Sequence, residues 1–305
     1  MRLVISPAKR MCVDDDTLDP ALLTAPAMID DAVALARWLA ARDADYLRRL
    51  WACNDDILDE NLRRLATLPA DVRDASTPAV LSFDGIQYRS MAPAVFEREQ
   101  FEYVQEHLRI LSGLYGVLRP LDAVTPYRLE MGARLPRNAS GATVALGAAP
   151  APGGGSASAS GAARAQGLPG GAASLYAYWG ARIHDEVFAG VADRTVVNLA
   201  SQEYARCVSA FLAPGERLVT CAFYELEGDP HVPAGEPCAL KVRATYAKMA
   251  RGGMVRYAAE VGAATPDDLR GFDRMGYRLD QALCDEATLA FVRTRVPGGA
   301  PAPTP

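Results

Sequence analysis

The chain has 305 residues, half of them apolar, and a formal net charge of −5. This composition suits a packed core, and the length allows either one large domain or two ordinary ones. The acidic balance excludes a surface that is basic all round. It still permits a local basic cleft, because charges farther apart than about 8 Å are screened at physiological salt.

No apolar run approaches the roughly 20 residues needed to span a bilayer, and the apolar patch at the N-terminus is too short for a signal peptide. We therefore expect a cytoplasmic protein with no membrane partner. The six cysteines form no C-x-x-C pair, and the three histidines are His107, His184 and His231. This spacing fits neither a disulfide framework nor a zinc or iron site, so we expect reduced thiols, no metal and no cofactor.

In the first part of the chain, residues 2–6 have the composition of a short strand, which Pro7 ends. Residues 79–83 predict a second strand, followed by a turn at Asp84-Gly85. Apolar residues at helical spacing predict helices at 28–41, 44–53, 56–68 and 100–111.

Between about 138 and 174 the sequence is rich in Gly, Ala, Ser and Pro and almost lacks large apolar side chains. Such a stretch buries too little surface to offset the cost of ordering its backbone, roughly 1–2 kcal/mol per residue. We predict a flexible surface insertion within one compact domain of residues 1–296, followed by a disordered tail at 297–305.

Beyond the insertion, strands and helices interleave irregularly. Helices are predicted at 175–188, from Ser201 to Phe211, at 245–261 with an interruption at Gly252-Gly253, and after Thr265, which precedes Pro266 as a capping residue. Strands are predicted at 195–199, 218–225, 238–243, 277–279 and 289–293. The predicted fold class is mixed α/β (α+β), without the regular spacing of a Rossmann or barrel fold.

The most informative segment is HLRILSGLYGVLRP, residues 107–120. An amphipathic helix runs into a turn containing Gly113 and Gly116, and a new apolar stretch follows, which is the layout of a helix-hairpin-helix. Glycines let backbone N–H groups approach a phosphate, and Arg109 and Arg119 flank the turn. The alternative is that G-x-x-G only ends a helix and allows close packing.

Further basic residues lie downstream. Tyr127-Arg128 brings an arginine next to an aromatic ring. A later segment contains no acid and carries Lys241, Arg243, Lys248, Arg251 and Arg256. On a helix, Lys248 and Arg251 would be neighbours that repel each other unless an anion lies opposite them. Pairing with acids elsewhere in the fold is the alternative.

The sequence Ser6-Pro7-Ala8-Lys9 directly follows the first strand. Proteins of the α/β class place ligand-binding groups in loops at the carboxyl ends of strands. Lys9 is therefore a candidate phosphate ligand or amine nucleophile, and an ordinary exposed lysine is the alternative.

These segments resemble the YaaA family of peroxide-stress proteins. The resemblance is carried by VISPAK (4–9), residues 107–132, LYAYWG (175–180), VNLASQEY (197–204), YAKMARG (246–252), Gly271-Phe272 and Gly276-Tyr277. It covers nearly the whole chain. It implies a protein that limits damage from unincorporated iron under peroxide stress. It also implies a single unusual α/β fold with a helix-hairpin-helix and a positively charged cleft that binds DNA.

Carried over by position, the hairpin corresponds to residues 112–116, and the DNA-binding cleft gathers Lys9, Arg109, Arg119, Arg128, Lys248 and Arg251. The sequence departs from the family pattern in two places. The insertion falls where the family has a short connection, and Arg10 stands where a threonine is usual, which leaves the role of Lys9 open.

Three functions are compatible with these features. The leading hypothesis is a DNA-binding stress protein without catalysis, which contacts double-stranded DNA through its backbone; six cations predict a log–log salt slope of about −4 to −6. The second is an enzyme acting on a nucleotide or nucleic acid, with Lys9 at the site and Ser6 or Tyr127 assisting. The third is peroxide chemistry at Cys12, which lies near Lys9 and Arg10 in the sequence.

Overall fold

The computed structural model describes residues 1–13, 19–136, 167–227 and 239–294. Within these ranges the strands are β1 (Arg2–Ile5), β2 (Arg10–Met11), β3 (Thr77–Pro78), β4 (Phe83–Asp84), β5 (Leu108–Ser112), β6 (Gly116–Leu118), β7 (Ala123–Val124), β8 (Thr195–Leu199), β9 (Arg217–Glu227), β10 (Ala239–Lys241), β11 (Arg278–Leu279) and β12 (Thr288–Thr294). The α-helices are α1 (Ile29–Ala40), α2 (Ala44–Trp51), α3 (Asp55–Leu65), α4 (Leu68–Asp71), α5 (Ala79–Ser82), α6 (Ile86–Met91), α7 (Arg98–His107), α8 (Leu175–Trp179), α9 (Arg182–Phe188), α10 (Gln202–Ser209) and α11 (Ala244–Val261). Short 3-10 helices lie at Pro20–Leu22, Pro93–Val95, Pro169–Gly171, Pro266–Gly271, Arg274–Gly276 and Gln281–Leu283.

A large sheet forms the centre of the fold, with the strand order β11-β12-β9-β8-β1-β5-β6 and β10 paired to β9. Strands β12, β9, β8, β1 and β5 run parallel, whereas β6, β10 and β11 are antiparallel to their partners. All residues of β5 and β8 are buried, as expected for parallel strands covered on both faces. The predicted mixed α/β class is confirmed.

Helices cover both faces of this sheet. Helix α7 contacts β1 and β5, and α11 contacts β9, α6 and α7, whereas α9 contacts β1, β6, β8 and α10. The connection that contains α7 leads from β1 to β5, and the connection that contains α9 leads back from the β5–β6 side to β8. The two connections therefore cross the sheet in opposite directions. Because parallel crossovers are right-handed, this places α7 and α9 on opposite faces. None of the helices in the described ranges has the length and apolarity that a membrane crossing needs.

The strand order creates a crevice beside β1. From β1 the chain passes to β5 on one side, and it later returns to β8 on the other side. At such a reversal the connections leave in opposite directions, and α/β proteins bind ligands outside the carboxyl ends of the two diverging strands. We call the side of the sheet at these carboxyl ends the carboxyl edge, and the opposite side the amino edge.

The segment predicted as a helix-hairpin-helix is a β-hairpin. The helix predicted at 100–111 ends at His107, and β5 and β6 then pair with Ser112 opposite Gly116. The reason is tertiary: β5 also pairs with β1, so its apolar run is buried as a strand. A helix pair does exist at α2 and α3, but α3 begins with Asp55 and Asp56, which would repel a phosphate.

Several other boundaries differ from the predictions. Residues 79–82 form the short helix α5, not a strand, and only Phe83 begins a strand. The helix predicted at 175–188 is divided at Gly180, whose φ is 52°. The paired glycines Gly252 and Gly253 do not interrupt α11, because they lie where neighbouring elements approach it closely.

The predicted insertion lies mainly outside the described residues, since 137–166 are not among them. Its last part, 167–174, packs against α1: Leu168 is buried, and the Trp38 Nε1–H donates to the Gly167 carbonyl at 2.7 Å. The predicted tail at 297–305 also lies outside the described residues.

A charged cluster near the amino edge makes stability depend on acidity. The carboxylate of Glu216 accepts the Ala213 N–H at 2.7 Å, contacts His184 Nε2 at 2.6 Å and pairs with Arg194. Burial raises the pKa of Glu216, but the Ala213 N–H, His184 and Arg194 together lower it below its ordinary value of 4.5. Stabilisation by Glu216 is therefore present above pH 4.5 and is lost as the pH falls through the lowered value.

We expect Glu216→Gln to reduce the free energy of unfolding at pH 7 by roughly 1.5–3 kcal/mol, the range for a hydrogen bond to a charged group. The variant should also flatten the loss of stability below pH 4.5. Urea unfolding at several pH values measures both effects. Parallel curves for the variant and the wild-type chain would contradict the assignment.

Candidate functional site

The two edges of the sheet divide the predicted site residues. Ser6 and Lys9 follow β1 at the carboxyl edge, and Ser112, the hydrogen-bond partner of Tyr127, ends β5 there. Arg109 lies near the start of β5, level with Val4, and Arg119 follows the antiparallel β6 at the same amino edge. The six predicted cations therefore do not line one cleft.

Ser6 and Ser201 meet across the crevice between β1 and β8. The Ser6 hydroxyl donates to Ser201 Oγ at 3.2 Å and accepts the Ser201 N–H at 2.8 Å. The Ser6 carbonyl accepts hydrogen bonds from Gln87 Nε2 at 3.2 Å and from the Tyr88 hydroxyl at 3.0 Å. Ser201 occupies the N-cap position of α10, as predicted, but its hydroxyl does not cap the helix. Two hydroxyls and the positive end of α10 thus meet in the crevice.

Lys9 lies at the outer rim of this crevice. Its Nζ pairs with Glu130 Oε2 at 2.7 Å, and 68% of its side chain is exposed. Glu130 Oε1 also accepts from Arg128 Nη2 at 3.1 Å. Arg128 points inward, because its side chain is only 11% exposed and it donates to the Trp51 carbonyl at 3.4 Å. Lys9 can therefore reach a ligand from solution, whereas Arg128 holds the segment around Glu130 in place.

Tyr127 belongs to a buried group of tyrosines below the crevice. Its hydroxyl lies 2.6 Å from Ser112 Oγ, and burial raises its pKa above the ordinary value of 10.0. Burial also raises the pKa of Tyr88 and Tyr204, which lie close enough to Tyr127 to influence each other. These phenols stay protonated at neutral pH, so they can donate and accept hydrogen bonds but cannot act as phenolate bases.

The glycine turn cannot offer its amides to a phosphate. Ser112 Oγ accepts the N–H groups of Leu114 and Tyr115 at 3.2 and 2.8 Å. A Cβ on Gly113 would lie 2.3 Å from the Leu129 carbonyl oxygen, and Gly116 has a φ of 70° in contact with Trp179. Both glycines therefore serve close packing, which was the alternative interpretation of G-x-x-G.

The arginines of the amino edge have structural partners. Arg109 is 7% exposed, and its Nη1 donates to the carbonyls of Gln105, Glu106 and Leu108 at the end of α7. Burial, with Arg2 and Arg119 nearby, lowers the pKa of Arg109 to about 10. Arg119 lies 3.6 Å from the buried Asp122. Neither arginine contributes to the crevice.

Helix α11 brings two further predicted cations to the carboxyl edge. Its preceding strand β10 pairs with the far end of β9, where Lys241 faces Glu225. Gly252 then packs against the carbonyl of Gln87, the residue whose side chain holds Ser6. Lys248 is exposed on this stretch of helix, and Arg251 is mostly buried.

Cys12, the candidate for peroxide chemistry, is exposed, and its Sγ lies 3.5 Å from the carbonyl oxygens of Leu81 and Ser82. Those carbonyls accept from a thiol and would repel a thiolate. No group of three or more His, Cys, Asp or Glu side chains that could hold a metal ion occurs among the residues that the structure describes.

A cavity of about 360 Å³ lies away from the crevice, at the amino edge. Its polar lining residues are Arg217, Asp267, Arg270, Gln281, Asp285 and Glu286. Arg270 is already bonded to Asp267 and Gln281, and none of the predicted site residues is present. The crevice is therefore the better candidate site.

Sequence reasoning missed the residues that hold the crevice together: Gln87, Tyr88, Glu130 and Tyr204. Gln87 and Tyr88 carry no motif of their own, whereas Glu130 and Tyr204 lie in the segments that carry the family resemblance but were assigned no role there. Ser201 had a recognisable signal, because it follows a buried strand and begins a helix, but it was assigned only a capping role.

Comparison with known proteins gives consistent matches. The sequence profile of the family described as peroxide stress protein YaaA matches residues 1–145 and 163–283. A UPF0246 protein of Agathobacter rectalis is 39% identical over 295 residues, which cover 96% of this chain and 99% of the relative. UPF0246 proteins of Lachnoclostridium phytofermentans and Desulfitobacterium hafniense are each 36% identical, with 96% of this chain covered and 96% and 98% of the relatives. The chain therefore belongs to the peroxide stress protein YaaA family.

Proposed function

We propose that the chain supports resistance to peroxide stress by binding phosphate groups of DNA at the carboxyl edge, and so limits damage from unincorporated iron. The observation that carries the proposal is the crevice between β1 and β8, where Ser6 and Ser201 meet and Lys9, Lys248 and Arg251 come from neighbouring segments. Hydroxyls, a helix N-terminus and cations are the groups that bind phosphate.

The protection would come from occupation of the phosphates. Hydrated iron(II) accepts oxygen ligands, and backbone phosphates supply them. A protein that neutralises and covers the same phosphates keeps iron, and the radicals it forms with peroxide, away from the sugar and bases. No metal site within the protein is needed for this role.

The placement of the cations lowers the expected number of phosphate contacts. Arg109 and Arg119 lie at the amino edge and Arg128 points inward, which leaves Lys9, whose ion pair with Glu130 is exposed, together with Lys248 and the mostly buried Arg251. Each contact contributes about −0.9 to the log–log salt slope on duplex DNA. Two or three contacts give a slope of about −2 to −3, about half of what the sequence predicted.

We expect the double variant Lys9→Gln/Lys248→Gln to weaken duplex binding by at least tenfold at low salt and to reduce the salt slope by about 2, one contact for each lysine. Fluorescence anisotropy with a labelled duplex across a salt series measures both quantities. Arg217→Gln is the matched control, because Arg217 is an exposed cation at the amino edge.

A slope near zero, or equal losses in the control and the double variant, would remove the carboxyl edge as the DNA-binding surface. Lys9→Arg tests the enzymatic alternative in the same assay. As half of an ion pair with Glu130, Lys9 should be replaceable by arginine with little loss of binding, whereas a nucleophilic amine would lose all turnover.

Nicking of plasmid DNA by iron and peroxide should fall when the wild-type chain is added and not when the double variant is added.

A further inference from the structure

Arg251 differs from Arg109, Arg128 and Arg293 because its guanidinium has no partner among the residues that the structure describes. It makes no hydrogen bond or ion pair with any residue that the structure describes, and its Nε is shielded from solvent. By contrast, Arg109 donates to three carbonyls, Arg128 contacts Glu130, and Arg293 pairs with Glu225 at 2.9 Å. The carbonyl or carboxylate acceptors that these three arginines contact have no counterpart at Arg251 among the described residues.

The surroundings of Arg251 are neutral. It lies beside the buried thiol of Cys221, and burial lowers its pKa with no carboxylate opposing the effect. Taking a cation out of water costs several kcal/mol unless a counter-charge compensates it. Lys248, one turn away on the exposed side of the same helix, adds to this local excess of positive charge.

Arg251 also lies at the level of the crevice. Cys221 follows Thr220, which pairs with Asn198, so Cys221 lies level with Leu199, the last residue of β8. The next residue of α11, Gly252, touches the Gln87 carbonyl, and the Gln87 side chain holds Ser6. Arg251 is thus connected to the Ser6–Ser201 crevice through two intervening residues, Gly252 and Gln87.

We infer that Arg251 supplies the inner cation for a terminal phosphate, so that this site takes a phosphomonoester: the phosphate of a nucleotide or of a DNA strand end. This inference rests on one part of the proposed function, namely that the ligand binds at the carboxyl edge of the sheet. A terminal phosphate carries up to two charges and projects from its ligand, so it can enter the crevice and reach a mostly buried guanidinium. The phosphodiesters of an uninterrupted duplex lie along a broad surface and meet only the exposed Lys9 and Lys248.

The test measures thermal unfolding with inorganic phosphate as the probe. We expect phosphate at tenfold its Kd to raise the Tm of the wild-type chain by about 2–5 °C. Arg251→Met keeps most of the side-chain volume and removes the charge. In phosphate-free buffer it should leave the Tm unchanged or raise it, because an uncompensated buried cation is removed. It should also abolish the phosphate-dependent rise.

Arg256→Met is the matched control on the same helix, since Arg256 is paired with Glu260 at 2.9 Å. It should keep the full response to phosphate. Arg251→Lys, which keeps the charge but not the planar fork, should retain a reduced response. The inference would be overturned if Arg251→Met kept the phosphate response of the wild-type chain. It would also be overturned if this variant had a lower Tm in phosphate-free buffer and the wild-type chain showed no response to phosphate.

Binding of two DNA probes separates this inference from the proposed function. One is a short strand with a 5′-phosphate, and the other is the same strand with a 5′-hydroxyl. We expect the 5′-phosphate to strengthen binding by roughly tenfold, and Arg251→Met to remove this preference while binding of a long duplex is little changed. If duplex binding depends on Lys9 and Lys248 but the 5′-phosphate and 5′-hydroxyl strands bind equally well, the proposed function stands and the inference is wrong. If the chain binds the strand with the 5′-phosphate but not the long duplex, the inference stands and the proposed duplex binding is wrong.

Discussion

Replacing Gly252 with alanine is expected to lower the free energy of unfolding by at least about 3 kcal/mol, the upper range for a forced steric overlap in a core. A Cβ at this position would lie 1.8 Å from the carbonyl oxygen of Gln87, 2.8 Å from its carbon and 3.1 Å from the Met91 amide nitrogen. These are backbone atoms of α6, so they cannot turn away as a side chain would. Helix α11 would have to separate from α6.

Gly253→Ala is the control, because it places the same methyl group one residue further along the helix. That Cβ would meet the terminal methyl of Met275 at 2.9 Å, and a flexible thioether can move aside. Alanine also favours a helix over glycine by about 1 kcal/mol, so this variant should remain within about 1 kcal/mol of the wild-type chain. Urea unfolding followed by circular dichroism compares the two, and equal stability of both variants would contradict the close approach of α11 to α6.

The same substitution should affect the crevice, since α6 holds the Ser6 carbonyl through Gln87 and Tyr88. If Gly252→Ala folds at all, its response to phosphate should be lost together with its stability. This coupling explains why a pair of glycines stands in the middle of a long helix. The sequence suggested that they interrupt the helix, whereas they allow it to reach the site.

Local sequence signals were sufficient where an element's pattern and its environment agree. The strand at 2–6, the helices at 28–41 and 44–53, and the buried strand at 195–199 all formed within a few residues of their predicted bounds. Thr265 caps the segment that follows it, as predicted, through a capping box with Asp268, although that segment is a 3-10 helix. These signals depend on neighbours within one or two turns of the chain.

The hairpin at 107–120 is an element whose type the local sequence pattern does not determine. Residues 108–111 continue the apolar pattern of α7, and a short apolar run fits a helix and a buried strand equally well. Pairing of β5 with β1, more than 100 residues earlier, decides between them. The convergence of Ser6, Ser201 and α11 likewise depends on strand order, which no spacing in the sequence encodes.

The division of the arginines between two edges could not be predicted either. Arg109 and Arg119 flank the glycine turn in the sequence and were predicted to line the same cleft as Lys9. In an antiparallel hairpin, however, the residues before the first strand and after the second lie at the end opposite the turn. The pattern that was interpreted as one basic cleft is therefore a packed turn with two structural arginines on the far side of the sheet.

Truncation of Glu225 to alanine should cost about 3–5 kcal/mol, the range for removing one partner of a buried ion pair. Glu225 is 2% exposed, and Arg293, its register partner on β12, is 16% exposed and lies 2.9 Å away. The guanidinium carbon of Arg293 also lies 3.6 Å from the centre of the Tyr246 ring. Without the carboxylate, this cation would remain enclosed between aromatic rings and strands with its charge uncompensated.

The comparison that identifies the cause is the double variant Glu225→Leu/Arg293→Met. It removes both charges and keeps apolar volume, so its stability should recover to within about 2 kcal/mol of the wild-type chain. Glu102→Ala is the control for an exposed pair, because Arg98 and Glu102 are 85% and 63% exposed, and its effect should be far smaller than that of Glu225→Ala. If Glu225→Ala behaves like Glu102→Ala, Arg293 tolerates burial without a counter-charge. Arg251 could then do the same, and its missing partner would no longer indicate a ligand.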